Sequence, residues 1–168
     1  MKKILSIVML TTCILLTGCG EQTKKELDTN LSKSIKINEE GAKLVCTTDY
    51  DYTNLNYVLG SKYVVFADSN NKVTKVISKE IIQSYDEDKL KEFEDYLTQN
   101  HSAAVQYNGY DYNIEKEKNK VISTVEIDYT EFDIKKFYED NEEKADTNLT
   151  IDSMEKQYVS LGAECKRK

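Results

Sequence analysis

Cysteine is the residue in this chain whose type and spacing say most about chemistry. Cys19 closes the run Leu16-Thr17-Gly18-Cys19, behind the positive Lys2 and Lys3 and the apolar stretch from Ile4 to Leu16. Two small residues let a peptidase bring the backbone close to its catalytic groups, and the thiol is the one side chain there that can form a thioether to a diacylglyceryl group. The apolar stretch is too short to cross a bilayer, which takes about 20 apolar residues. The pattern therefore predicts a lipoprotein signal peptide over 1–18, lipidation of Cys19, and a mature chain held on a membrane by acyl chains of the palmitate kind. Two such chains anchor firmly, whereas one binds only reversibly.

Cys13 leaves with the signal, so Cys46 and Cys165 remain in the body. An exported protein meets a non-reducing setting, where a remaining pair reads most simply as one disulfide, here between the first strand and the last. A metal site would need a nearby Cys or His, and a reactive thiol a flanking His. The loop of roughly 120 residues gives close to 5 kcal/mol in the chain-entropy model, an upper figure.

Other chemistry is sparse. His101 is the single imidazole, placed after the end of a predicted helix, where it is expected to favour the helix dipole or face water. With one His there is no HExxH motif, and no G-x-S-x-G, P-loop or G-x-G-x-x-G occurs. Asp49-Tyr50-Asp51-Tyr52-Thr53-Asn54 starts like a calcium loop but has Asn54 where Gly belongs and Gly60 where Glu belongs. Carboxylates are plentiful enough for a glycosidase pair, yet sequence locates none. No catalytic residue, metal ligand or cofactor is assigned. Tyrosine is the unusual residue, with twelve in the chain. Tyr110 and Tyr112 share a face of one strand and are the candidate ligand-binding pair, since Tyr joins a large apolar body to a polar tip.

The elements that position these groups follow from composition and period. The chain has 168 residues, 39% apolar and 32% charged, with a net charge of -7 and no Pro or Trp. That suits one domain of ordinary size, and the acidic balance argues against nucleic acid as a partner. The single Arg and the abundance of Lys, Asn, Ile and Tyr fit an AT-rich genome. Residues 19–42 are mixed in charge and poor in aromatics, and read as a flexible tether. Residues 43–168 read as one α+β domain, an antiparallel sheet with helices packed on one face. Strands are predicted from Leu44 through Tyr52 and over 57–67, 73–82, 107–114, 121–129 and 163–166. The turn Asp68-Ser69-Asn70-Asn71 makes a hairpin of the second and third. Helices are predicted to about Asn100 behind a Ser84-x-x-Glu87 capping box, after Thr130-x-x-Asp133, and after Asp152-x-x-Glu155, with Gly162 supplying the last C-terminal turn.

The lipobox, Asn71-Lys72-Val73-Thr74-Lys75-Val76, Val125-Glu126-Ile127-Asp128-Tyr129 with Phe132-Asp133-Ile134, and Ser160-Leu161-Gly162-Ala163 together resemble the YehR-like bacterial lipoproteins. The resemblance covers most of 43–168 and implies a lipid-anchored α+β domain on the extracytoplasmic face of the cell membrane. That family carries no activity or catalytic residues to transfer. The expectation is a monomeric, non-enzymatic domain that binds a small ligand or an envelope protein, with a small envelope hydrolase acting through paired carboxylates as the alternative.

Overall fold

The computed structural model describes residues 26–140 and 149–168. Six strands form one antiparallel sheet: β1 (Leu44–Tyr52), β2 (Tyr57–Ala67), β3 (Val73–Ser84), β4 (Tyr110–Glu117), β5 (Lys120–Asp128) and β6 (Glu164–Arg167), in the order β4-β5-β3-β2-β1-β6. Three helices, α1 (Glu87–Ser102), α2 (Ile134–Asp140) and α3 (Ile151–Ser160), complete the α+β domain. The β2–β3 hairpin turns where its Asx chemistry places it. Asp68 Oδ1 accepts from the backbone of Asn70 and Lys72, and Asn71 takes a φ of 62°.

Alternation along the strands sends Leu44, Cys46, Leu59, Tyr63, Val65, Val76, Ile82, Val121, Val125 and Ile127 to one face, and all three helices pack there. α1 lays Leu90 and Leu97 on Leu59, Ile82 and Val121. α3 lays Ile151, Met154 and Tyr158 on Leu44, Cys46, Tyr63, Val65 and Val76. α2 sets Phe137 among Tyr110, Val125, Ile127 and Phe132.

All three helix starts differ from the pattern read in sequence. α2 begins at Ile134, later than Thr130, with Asp133 Oδ1 accepting from Lys136 N. Asp86 caps α1 by accepting from Lys89 N, while Ser84 ends β3 and donates to Asn56 O. Thr150 and Ser153 form the capping box of α3, ahead of the expected Asp152. In each case the nearer Asx or hydroxyl residue reaches the free amides first. The fourth strand begins at Tyr110, three residues later than expected, because Gly109 with φ 75° turns the chain into it.

The larger correction concerns 19–42. Its first part lies outside the described residues, as do Cys19 and the signal segment, but residues 27–42 pack against the domain. A 3-10 turn at Leu31–Ser34 seats Leu31 and Ile35, 1% and 3% exposed, on Val58, Ile81 and Ile122 of the face opposite the helices. Leu27, Leu31 and Ile35, spaced as for a transient helix, are thus the apolar side of a strap.

Gly60 makes that seat. A Cβ there would lie 2.5 Å from Leu31 Cβ and 2.6 Å from Ser32 N, so only glycine lets the strap settle on β2. Asp49, directly across from Gly60, accepts from Ser32 N at 2.8 Å and from the Ser32 hydroxyl. Glu39 then ties the strap end to Lys62 at 2.7 Å and Lys168 at 2.8 Å. Those two ammonium groups hold the Glu39 carboxyl down to about 2. Asp49 is thereby engaged in holding the strap.

Candidate functional site

The helix-bearing face has a break in its apolar surface. Following the register across the sheet, Thr48 of β1 faces Ser61 of β2, Ser61 faces Glu80 of β3, and Glu80 faces Ser123 of β5. The next row runs Cys46, Tyr63, Ser78, Val125, Tyr112. Each of Ser61, Ser78, Glu80 and Ser123 stands where the strand period calls for a core residue. The helices divide around them: α1 holds the Leu59, Ile82 and Val121 end, and α3 the Cys46, Tyr63 and Val65 end. We read this row of small side chains, between the apolar rows taken by α1 and α3, as a furrow in which Ser61 and Ser123 are themselves buried. Ser78 and Glu80 stay partly open to water although β3 is an inner strand.

Glu80 is the floor of that furrow. Its carboxylate accepts from Ser61 Oγ at 3.2 Å and is hydrogen-bonded by the Tyr63 hydroxyl. Surrounding protein removes most of its hydration, and this burial pushes its pKa up against the opposing effect of the two hydrogen bonds. Among the described residues no Lys or Arg forms an ion pair with it. Nor does a second carboxyl act on it. The acid pair that glycoside hydrolysis needs is therefore not assembled at Glu80.

Tyrosines enclose the furrow. Tyr63 stacks on Tyr158 of α3 with ring centroids 4.4 Å apart. The Tyr50 hydroxyl donates to Leu161 O just beyond α3 and so joins β1 to the helix end. Burial raises the pKa of Tyr63, Tyr129 and Tyr158 above the ordinary tyrosine value. Among the described residues the Tyr158 hydroxyl is the buried side-chain polar atom with no hydrogen-bond partner.

On the far side sits His101, in the last turn of α1 and 8% exposed. It does not face water, as its position after a helix seemed to require, because α1 continues through Ser102 and turns it onto the sheet. Nδ1 lies 2.7 Å from the Tyr110 hydroxyl and Nε2 3.5 Å from Ser123 Oγ. Burial depresses its pKa to about 4, so the ring is neutral at physiological pH and adds no charge to the helix dipole. Ser123 and His101 do not make a nucleophile and base, since the hydroxyl is only 3% exposed and the contact is long.

The two tyrosines singled out in sequence separate in role. Tyr110 is a core residue, 3% exposed, whose hydroxyl is committed to His101. Tyr112 is half-buried, with its ring centroid 5.5 Å from that of His101, in the row that continues through Val125 to Ser78. Sequence reasoning missed Glu80, although a signal was present: an acid at the inward period of Val76, Ser78, Glu80 and Ile82 conflicts with a buried strand.

Cys46 and Cys165 form a disulfide across β1 and β6, with Cα atoms 4.0 Å apart and a sequence separation of 119. It closes the sheet edge beneath α3, at the end of the Tyr63 row. Among the described residues no three of His, Cys, Asp and Glu gather as metal ligands, and no helix is long and apolar enough to cross a membrane.

No family model and no curated protein matches the chain. Among solved structures it is similar to one described as the NMR structure of the protein from Streptococcus pneumoniae TIGR4. The two share 14% identity with a TM-score of 0.43, over 89% of this chain and 100% of that one. So distant a likeness carries no functional argument.

Proposed function

We propose that the chain is a non-enzymatic, lipid-anchored binding domain of the bacterial cell envelope whose ligand seats in the furrow over Glu80. The observation that carries the binding part is Glu80, a half-buried residue of an inner strand whose desolvated carboxyl is hydrogen-bonded only by the neutral hydroxyls of Ser61 and Tyr63. A buried acid between two separated helices costs stability that a merely structural sheet would not spend, which is the usual mark of a site. The anchor rests on the lipobox at 16–19 and on the YehR-like resemblance, and the Cys46–Cys165 bridge suits an extracytoplasmic setting.

The anchor also bounds how far the domain can stand from the membrane. At full extension the eight residues from Cys19 to Leu27 reach about 29 Å, and Leu27 lies against the strap face.

Thermal unfolding of the full chain in mild detergent, against cell-wall sugars, peptides, amines, lipids and metals, tests the binding. A ligand at about 100 times its Kd adds roughly 2.7 kcal/mol, a shift of a few degrees. Ser78→Leu, which fills the furrow, should abolish that shift. A panel without any shift, or one that Ser78→Leu leaves intact, overturns the site. The anchor is tested separately: Cys19→Ser should abolish palmitate labelling and move the protein from the membrane fraction to the medium.

A further inference from the structure

We propose that the furrow takes a small organic cation, a primary ammonium or guanidinium group, paired with the Glu80 carboxylate. This rests on the reading of the furrow as a binding site and narrows it to one ligand chemistry.

An electrostatic imbalance carries the inference. A carboxylate taken out of water is stabilised by a neighbouring cation or gives up its charge to a proton. The ion pairs among the described residues use Lys62, Lys75, Lys116, Lys136, Arg167 and Lys168, and all lie away from Glu80. The groups that do touch it, Ser61 and Tyr63, are neutral. The Glu80 carboxylate thus lacks the positive charge that would balance it among the described residues.

The surroundings favour an organic cation over a metal ion. Calcium takes about 6–8 oxygen ligands, several of them carboxylates. Here one carboxyl is flanked by rings and hydroxyls, and among the described residues no metal-binding group of acids forms. Aromatic walls suit ammonium and guanidinium groups. A second observation points the same way. The fully buried Tyr158 hydroxyl has no partner and lies close enough to the hydroxyls of Tyr63 and Tyr129 to sense their charge. That hydroxyl, which can both donate and accept, is left without a partner beside the Tyr63 ring, a further polar group on this face that the chain does not satisfy.

Pairing requires ionised Glu80, so binding releases a proton wherever free Glu80 is protonated. Below its folded pKa the affinity falls about tenfold per pH unit. The other titratable groups around the furrow do not share that window. Tyr63, Tyr129 and Tyr158 titrate above the ordinary tyrosine value, and His101, reached through Ser123, is neutral above about 4.

Isothermal titration calorimetry on the full chain in mild detergent decides the matter, with cadaverine, acetyl-lysine amide and uncharged acetyl-norleucine amide as probes at about pH 8 and pH 5.5. The expected result is binding of a cationic probe but not the norleucine amide, with proton release and weaker affinity at the lower pH. Glu80→Gln keeps the shape of the protonated acid and should weaken binding at least tenfold, while its own thermal unfolding confirms the fold. Tighter cadaverine would make the ligand a free amine, and tighter acetyl-lysine amide a basic side chain of a peptide or protein. Equal binding of the norleucine amide, unchanged affinity in Glu80→Gln, or no binding of either cation at millimolar concentration overturns the inference. If a neutral compound still shifts the melting point and Ser78→Leu removes the shift, the furrow remains a binding site and only its charge preference is wrong. If nothing shifts it, both readings fall.

Discussion

The two faces of the sheet are covered in opposite ways. Under the strap the surface is shaped for one occupant: Gly60 is bare so that Leu31 and Ser32 can touch the strand, and Asp49 is spent on holding Ser32. Under the helices the reverse holds. Apolar rows take α1 and α3 at the two ends, while the middle keeps serines, an acid and a buried phenol without a partner. The strap face is complete in itself, and the helix face is complete only at its ends. Polar groups that the chain itself satisfies are structural, and those it leaves unsatisfied mark where something else belongs.

The contrast breaks most visibly if the strap is removed. A chain starting at residue 39 loses Leu31 and Ile35 outright, together with the half-buried Leu27 and Ile37, and bares Val58, Ile81 and Ile122. At ~1.5–3 kcal/mol per buried side chain, on the order of 6 kcal/mol goes, which is comparable with the whole stability of a small domain. Urea unfolding should find that chain largely unfolded or aggregated, whereas one starting at residue 20 keeps a cooperative transition. Equal midpoints for the two would mean that the strap is ornament. Cutting the Cys46–Cys165 bridge is the next largest change. With a sequence separation of 119 between the two cysteines, a paired Cys→Ser replacement should cost about 2–5 kcal/mol without altering the ligand panel, since the bridge lies at the sheet edge and not in the furrow.

Acid sharpens the difference between the faces. His101 titrates near 4 in the folded chain and near 6.5 when unfolded, so the unfolded state binds the extra proton between those values. Stability from this residue is full above pH 6.5, declines through the window, and is reduced by about 3 kcal/mol below pH 4. Glu80 acts in the other direction. Its raised pKa means the folded state holds a proton that the unfolded state has lost, so its cost is present at high pH and disappears as pH falls to about 4.5. Glu80→Gln should therefore be more stable than the parent chain at pH 8, converge with it near pH 4.5, and unmask the His101 slope. Parallel pH profiles for the two proteins would show that Glu80 is well solvated. Glu39, on the strap side, is held down to about 2 and loses its contribution only below pH 4.5, outside most of the His101 window.

Much of this architecture was legible in the sequence because it follows from local period and turn chemistry. The second strand, the Asn71 turn, the Gly162 helix end, the disulfide between terminal strands and the placing of all helices on one face come from alternation, φ preference and compartment. What sequence did not disclose depends on contacts between distant segments. Residues 27–42 look like a linker because the reason for their order, the missing Cβ of Gly60, lies far along the chain. His101 looked solvated because its burial requires Tyr110 and Ser123 to arrive from β4 and β5. Glu80 was readable in principle, as a charged residue at an inward position of an inner strand. That no described Lys or Arg pairs with it is a property of the folded sheet alone.

The smallest expected effect tests the incompleteness of the helix face most directly. Tyr158→Phe removes a fully buried hydroxyl that has no partner, and keeps the ring that stacks on Tyr63. Deleting a polar group that is hydrogen-bonded costs about 1 kcal/mol, whereas deleting one already deprived of water and partner relieves its desolvation penalty. Without ligand, Tyr158→Phe should thus melt at or slightly above the parent chain, by up to about 1 kcal/mol. Tyr63→Phe, which removes the donor from Glu80, should melt below it by a similar amount. A Tyr158→Phe protein that is less stable than the parent with no ligand present would show that the hydroxyl already has a partner, and the helix face would be as self-sufficient as the strap face.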